Sequence, residues 1–288
     1  MLLAIGSVQF GAALARTLFA RIGPEGTVMV RALFAAVVIN ALWPPRLRGR
    51  PARELWLVAG FGVSLAAMNL AFYAALARVP LGVAVTLEFV GPLGVAIAGS
   101  RRWLDGLWVL LAAAGILLLA APGGTAVDPG GAALALTAGL FWAAYILLSA
   151  RTGRAFPGGS GLAAAMSLAA VLLLPVGLLA AGTRLLDGRV LLLGLGVALL
   201  SSAVPYSLEL EALRRLPPAV VGVLLSLEPA VAALAGFLVL GETLAAHDLA
   251  GIALVVLASG CAALASAGTP AGRLRGQSTL ERKERVRS

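Results

Sequence analysis

The sequence predicts an all-α membrane protein of ten transmembrane helices, arranged as two inverted five-helix repeats. Three observations carry that expectation: an apolar composition, ten apolar runs of span length, and an internal repeat with an odd number of spans per copy. Of the 288 residues 60% are hydrophobic and 12% are charged, against about 25% charged in an ordinary soluble domain. A soluble core could not use so much apolar surface, and what it exposed would aggregate.

A span needs about 20 apolar residues. Read between Gly, Pro and Arg punctuation, the runs fall at 2–20, 26–43, 55–76, 80–99, 104–121, 131–149, 160–181, 190–213, 218–240 and 247–267. The connections RPARE, SRRW and RTGRAFPGG are short, so neighbouring helices are antiparallel. The chain starts with no basic n-region and runs straight into the first apolar segment, so no cleavable signal peptide is expected, and the abrupt start suggests residues upstream. His247, followed by Asp248 at the start of the last run, reads as a capping or interfacial group.

Charge sets the orientation. The even-numbered connections and the tail carry sixteen Lys and Arg, among them Arg46, Arg48, Arg101, Arg151 and Arg214, against four on the odd-numbered side, Arg21, Arg78, Arg184 and Arg189. Both termini are therefore expected in the cytoplasm. The net charge of +9 then reads as an orientation signal facing anionic lipid, and no nucleic-acid partner is expected.

The repeat aligns LARVPLGVAVTLEFVGP (76–92) with LRRLPPAVVGVLLSLEP (213–229), so that Arg78, Pro80 and Pro92 meet Arg215, Pro217 and Pro229. This gives a first repeat over 1–122, a second over 131–268, and a basic cytoplasmic tail over 269–288 that is expected to be disordered. Five spans per copy is odd, so the second copy enters the membrane from the opposite side. Two inverted copies give two related conformations, one open to each side, with a binding site at their shared interface near the midplane.

Pro80, Gly91, Pro92, Pro217 and Pro229 are the expected helix-break or gating positions. Proline frees an upstream carbonyl, which in lipid must be satisfied by a neighbour or face a cavity. The alternative is a simple packing kink. Ionisable residues in spans mark candidate substrate or proton sites, because a charge at the bilayer centre costs about 2.5–3.5 kcal/mol on insertion scales. Glu88 and Glu228 lie in matching helices, three residues out of register. Burial penalises the ionised form of a carboxylate, so Glu88 is expected to exchange a proton. Arg31 reads as a counter-ion to a buried carboxylate or as a direct substrate contact. Glu209 reads as a substrate-side or interfacial group, Glu211 as interfacial pairing, and Glu242 as a helix-end cap. Gln9, Asn69, Tyr73, Thr86, Trp142, Tyr145, Ser149, Tyr206 and Ser226 complete a plausible pocket lining.

The stretches VPLGVAVTLEFVGPLGVAIAGSRR, GLFWAAYILLSAR and PYSLELEALRRLPPAVVGVLLSLEPAVAALAGFLVLGE resemble the EamA branch of the drug/metabolite transporter superfamily. The similarity is greatest to bacterial inner-membrane threonine/homoserine exporters. It implies ten helices in two repeats and proton-coupled efflux of small amino acids from the bacterial cytoplasm. The alternatives are efflux of amphipathic drugs or purine-like metabolites, or a non-transporting scaffold or lipid-modifying enzyme. With one His and one Cys, no phosphate-binding loop and no metal triad, neither enzyme activity nor a metal or cofactor is expected. The expected partners are an amino-acid substrate, protons and membrane lipid.

The orientation is checked by single cysteines in a Cys261→Ala background. A cysteine at Arg48 should be protected from an impermeant maleimide in intact cells and one at Gly123 should be labelled. The reverse pattern overturns the orientation.

Overall fold

The computed structural model describes residues 1–98, 105–119, 127–205, 208, 216 and 218–267. Among these residues the regular elements are all helical: α1 (Leu2–Thr17), α2 (Phe19–Leu42), α3 (Ala52–Leu76), α4 (Leu81–Glu88), α5 (Val90–Ala98), α6 (Asp105–Leu119), α7 (Pro129–Ala155), α8 (Ser160–Ala181), α9 (Gly188–Ala198), α10 (Pro218–Leu225), α11 (Glu228–Ala235) and α12 (Ala246–Ala267). Wider π-type turns continue α9 over Leu199–Ala203 and α11 over Gly236–Leu240.

Among the described residues six segments are long and apolar enough to cross a membrane: Phe19–Leu42, Ala52–Leu76, Pro129–Ala155, Ser160–Leu186, Val223–Leu240 and Ala246–Leu264. Four shorter apolar helices, Leu2–Thr17, Leu81–Val95, Gly106–Leu119 and Gly188–Ser202, stand beside them. Large side chains such as Leu179 (89% exposed) and Leu3 (76%) point outward. In water such a surface would aggregate, whereas lipid solvates it.

Local chemistry explains the helix starts. Asp128 and Asp187 cap α7 and α9, accepting from the backbone N–H of Gly131 and Arg189 at 2.8 Å each, as short acceptors do at an N-cap. Asp248 accepts from the N–H of Ala245 (3.0 Å) and lies 3.3 Å from His247, a back-reaching contact of the capping-box kind. α2 is broken near its start: Gly23 (φ 69°, ψ 170°) takes a non-helical turn, and Pro24 starts the long part of the helix two residues before the apolar run; a first-turn proline gives up no needed donor.

Two apolar runs expected as single spans are broken. The run 80–99 divides at Phe89 and the run 218–240 divides at Ser226–Leu227. The cause is the same in each. Pro92 has no N–H for the carbonyl of Glu88, the last residue of α4, and Pro229 has none for Leu225, the last residue of α10. Glu88 and Leu225 are also aligned with each other in the sequence repeat.

The main core packs α2 against α8 and α3 against both α7 and α8, with Phe61, Leu65, Tyr73, Met29 and Ile39 inside. A second cluster joins α4, α7 and α12 through Val83, Leu87, Ala135 and Ile252. A third joins α1, α4 and α11 through Ala13, Leu81, Val85, Ala232 and Ala235. Small residues set these crossings. A Cβ on Gly82 of α4 would lie 2.8 Å from Cα of Ala233 on α11, and one on Gly139 of α7 would lie 2.5 Å from the Glu88 carbonyl oxygen. Gly91 meets the Gly139 backbone from the other side.

One tie holds the ends of α1, α4 and α11 together. The Glu242 carboxylate pairs with Arg16 of α1 and accepts from the backbone N–H of Leu81, at 2.9 Å, at the start of α4. Glu242 therefore caps a helix, but it is α4 and not the segment that precedes it.

Gly91→Val should destabilise the fold by about 1–3 kcal/mol or more, because backbone on α7 cannot yield as a flexible side chain does. Gly94→Ala, where no atom lies within 4 Å of the added Cβ, should not. Melting of the purified proteins in detergent checks the contrast.

Candidate functional site

The broken helices border a cavity of about 390 Å³, at the small end of the roughly 300–1,000 Å³ range of ligand pockets. α4 and α5 contribute Glu88, Phe89, Pro92 and Leu93; α11 contributes Glu228; α1 contributes Gln9; α2 contributes Arg31; α3 contributes Asn69, Phe72 and Tyr73; α7 contributes Trp142 and Tyr145. Eight residues read from the sequence as pocket lining or charge sites thus face one space: Gln9, Arg31, Asn69, Tyr73, Glu88, Trp142, Tyr145 and Glu228.

The remaining candidates lie elsewhere. Thr86 is fully buried, and its hydroxyl donates to the Gly82 carbonyl of its own helix at 2.6 Å. Ser226 donates to the Val223 carbonyl at 2.6 Å. Neither lines the cavity. Pro80 caps the start of α4, Gly91 sits at the α5–α7 crossing, and Pro229 lies in the first turn of α11. Tyr206, Glu209, Glu211 and Pro217 lie outside the described residues.

The aromatic wall is held by ring contacts. Trp142 meets Phe89 edge-on, with centroids 5.5 Å apart and planes at 84°. Tyr145 leans on Phe61 at 5.2 Å, and Tyr73 on Phe19 at 5.9 Å. The Gly91–Gly139 approach makes the first contact possible, since Trp142 lies one turn beyond Gly139 on α7.

Charge is concentrated at two places. Glu88 and Glu228 are 8% and 7% exposed and stand at opposite kinds of helix end. α4 ends at Glu88 and α11 begins at Glu228. A helix start favours a negative charge and a helix end does not. Arg31 lines the same cavity. Its Nη1 donates to Asn69 Oδ1 at 2.6 Å, its Nη2 lies 3.4 Å from the Ser201 carbonyl oxygen, and its guanidinium stands 5.6 Å from the centre of the Tyr73 ring. Neutral groups orient Arg31, and among the described residues it makes no ion pair at contact distance, while Glu88 and Glu228 line the same cavity.

Ser201, Ser259, Phe72 and Phe89 also line the cavity and were not singled out in the sequence. The buried Gln9 Oε1, Ser201 Oγ and Ser259 Oγ have no hydrogen-bond partner among the described residues. Buried polar atoms are rarely left so, and here they border a space able to hold a polar ligand. The wall thus offers aromatic surface, two carboxylates and a guanidinium. That set can hold a small solute by its charges. The described residues include no group of three or more His, Cys, Asp or Glu able to hold a metal ion.

Comparison with known proteins is consistent along most of the chain. Residues 129–263 match the EamA-like transporter family. The threonine/homoserine exporter RhtA of Escherichia coli (strain K12) is 44% identical over 90% of this chain and 88% of its own length. RhtA of Salmonella typhimurium (strain LT2) is similar to the same extent, 44% over 90% of this chain and 88% of its own. A protein of known crystal structure superposes with a TM-score of 0.61 at 19% identity, covering 91% of this chain and 95% of that one, a likeness of fold. The chain belongs to the EamA-like transporter family.

Proposed function

We propose that this protein exports small amino acids of the threonine and homoserine kind across the bacterial inner membrane in exchange for protons. The observation that carries the reading is the cavity in which Glu88 and Glu228, from the two matching broken helices, face Arg31. The name of the relatives at 44% identity supplies the substrate class. The cavity volume of about 390 Å³ suits a small solute better than a large amphipathic one.

The wider architecture of the proposal is ten spans in two inverted halves, 1–122 and 131–268, with both termini and the 269–288 tail in the cytoplasm. Two features support it. The breaks after Glu88 and Leu225 fall at repeat-aligned positions, and the basic residues concentrate in the even-numbered connections and the tail, the pattern that marks a cytoplasmic side. The shorter helices would cross with neighbouring turns and connections completing their length. The work is binding and movement, with no bond made or broken in the solute.

Glu88 carries the proton in this mechanism. Two carboxylates bordering one low-dielectric space cannot both stay ionised without cost. Helix ends favour the charge at Glu228, so Glu88 is the one that changes state. Ionised, Glu88 attracts the ammonium group of an amino acid; protonated, it releases it. Proton and substrate then compete for one place, and alternation of the two halves carries each across in opposite directions.

Inverted membrane vesicles test this with a panel of labelled amino acids, with and without an imposed proton gradient. Threonine or homoserine should accumulate only with the gradient. Glu88→Gln keeps the shape and removes the titration, and should lower gradient-driven accumulation on the order of tenfold or more with insertion intact. Glu228→Gln should do less. A silent amino-acid panel beside active dye transport would replace the substrate class, and wild-type accumulation by Glu88→Gln would move the coupling elsewhere.

A further inference from the structure

The amino-acid reading accounts for the carboxylates and leaves the guanidinium without a task. Arg31 is the cation among the described residues that line the cavity. It is fixed from three directions: Asn69 of α3 at 2.6 Å, the Ser201 carbonyl in the π-type turn after α9 at 3.4 Å, and the Tyr73 ring at 5.6 Å. Asn69 is itself held, its Nδ2 donating to the Leu65 carbonyl at 2.8 Å, so its Oδ1 is presented to Arg31. All these partners are neutral. They orient the guanidinium without closing an ion pair on it among the described residues, and a cation at membrane depth is costly unless an anion or water meets it directly.

A guanidinium so fixed, with N–H donors to spare, is a planar fork suited to a carboxylate. The carboxylates that line the same cavity are suited to an ammonium group. A zwitterion satisfies both at once, and neither a simple amine nor a simple acid does. We propose that Arg31 is the receptor for the substrate's α-carboxylate, so that the amino acid lies across the cavity with its ammonium group toward Glu88 and Glu228. This rests on the amino-acid reading above and adds to it a rule of selection. Derivatives whose carboxyl group is neutral are rejected, because they leave Arg31 unpaired. Sites built around a buried polar contact discriminate strongly against ligands that lack it.

The test uses the full-length protein in lipid nanodiscs and ligand-dependent melting, since a ligand that binds only the folded state raises the melting temperature by mass action. L-threonine and L-threoninamide are titrated in parallel. The parent protein should bind threonine about tenfold or more tightly than the amide. In Arg31→Gln that ratio should fall to about one, through weaker threonine binding, with amide binding unchanged. Arg31→Lys, which keeps the charge and loses the fork, should keep part of the preference. Equal binding of the two ligands by the parent protein overturns the inference without recourse to any variant. So does an Arg31→Gln protein that melts cooperatively and retains the preference, or one that loses affinity for both ligands alike. Failure of the parent to bind threonine at all overturns the amino-acid reading and this inference together. A lost ratio with threonine binding intact overturns the Arg31 assignment alone.

Discussion

Two missing hydrogen bonds organise this protein. Pro92 cannot serve the Glu88 carbonyl and Pro229 cannot serve that of Leu225, so two apolar helices end early and restart in the middle of the bundle. In a lipid solvent a helix cannot simply open there, because a freed carbonyl must find another environment. At Glu88 that environment is the backbone of α7, brought near by Gly139 and Gly91. The approach in turn sets Trp142 against Phe89 and carries the Glu88 side chain to the cavity. Helix break, glycine crossing, aromatic wall and carboxylate are one connected consequence of a proline.

The cavity is sparing with polarity. Its aromatic side chains are held by one another, and its charges stand on separate elements: α4 and α11 for the carboxylates, α2 for the guanidinium. The tie at Glu242, where Arg16 and a backbone donor both meet the carboxylate, belongs to the packing of the bundle. The cavity instead gathers charges of both signs around a space of about 390 Å³.

Much of this was legible in the sequence, for a physical reason. Lipid penalises polar groups, so Glu88, Glu228, Arg31, Gln9 and Asn69 stand out in apolar runs, and the same penalty turns them toward an interior space. Hydroxyls carry no such signal, because Ser and Thr can donate to a carbonyl of their own helix. Thr86 and Ser226 do so and leave the cavity, while Ser201 and Ser259 line it unannounced. Pairings distant in the chain were equally hidden. Arg16 and Glu242 are 226 residues apart, and nothing local to either names the other. The wider turns at Leu199–Ala203 and Gly236–Leu240 were invisible too, since an apolar run reads alike in an α-helix and in a π-type turn.

The tie at Glu242 has a consequence for how the bundle can move. One carboxylate answers both a guanidinium on α1 and the first backbone donor of α4. Lifting residue 242 away therefore strands two groups in a single step, and an unsatisfied buried donor alone costs about 1–3 kcal/mol. The two partners take different oxygens of that carboxylate, Oε1 for Arg16 and Oε2 for the Leu81 N–H. That end of the molecule is consequently braced in two directions by one side chain, and a rearrangement that separates α1, α4 and the end of α11 must give up both contacts.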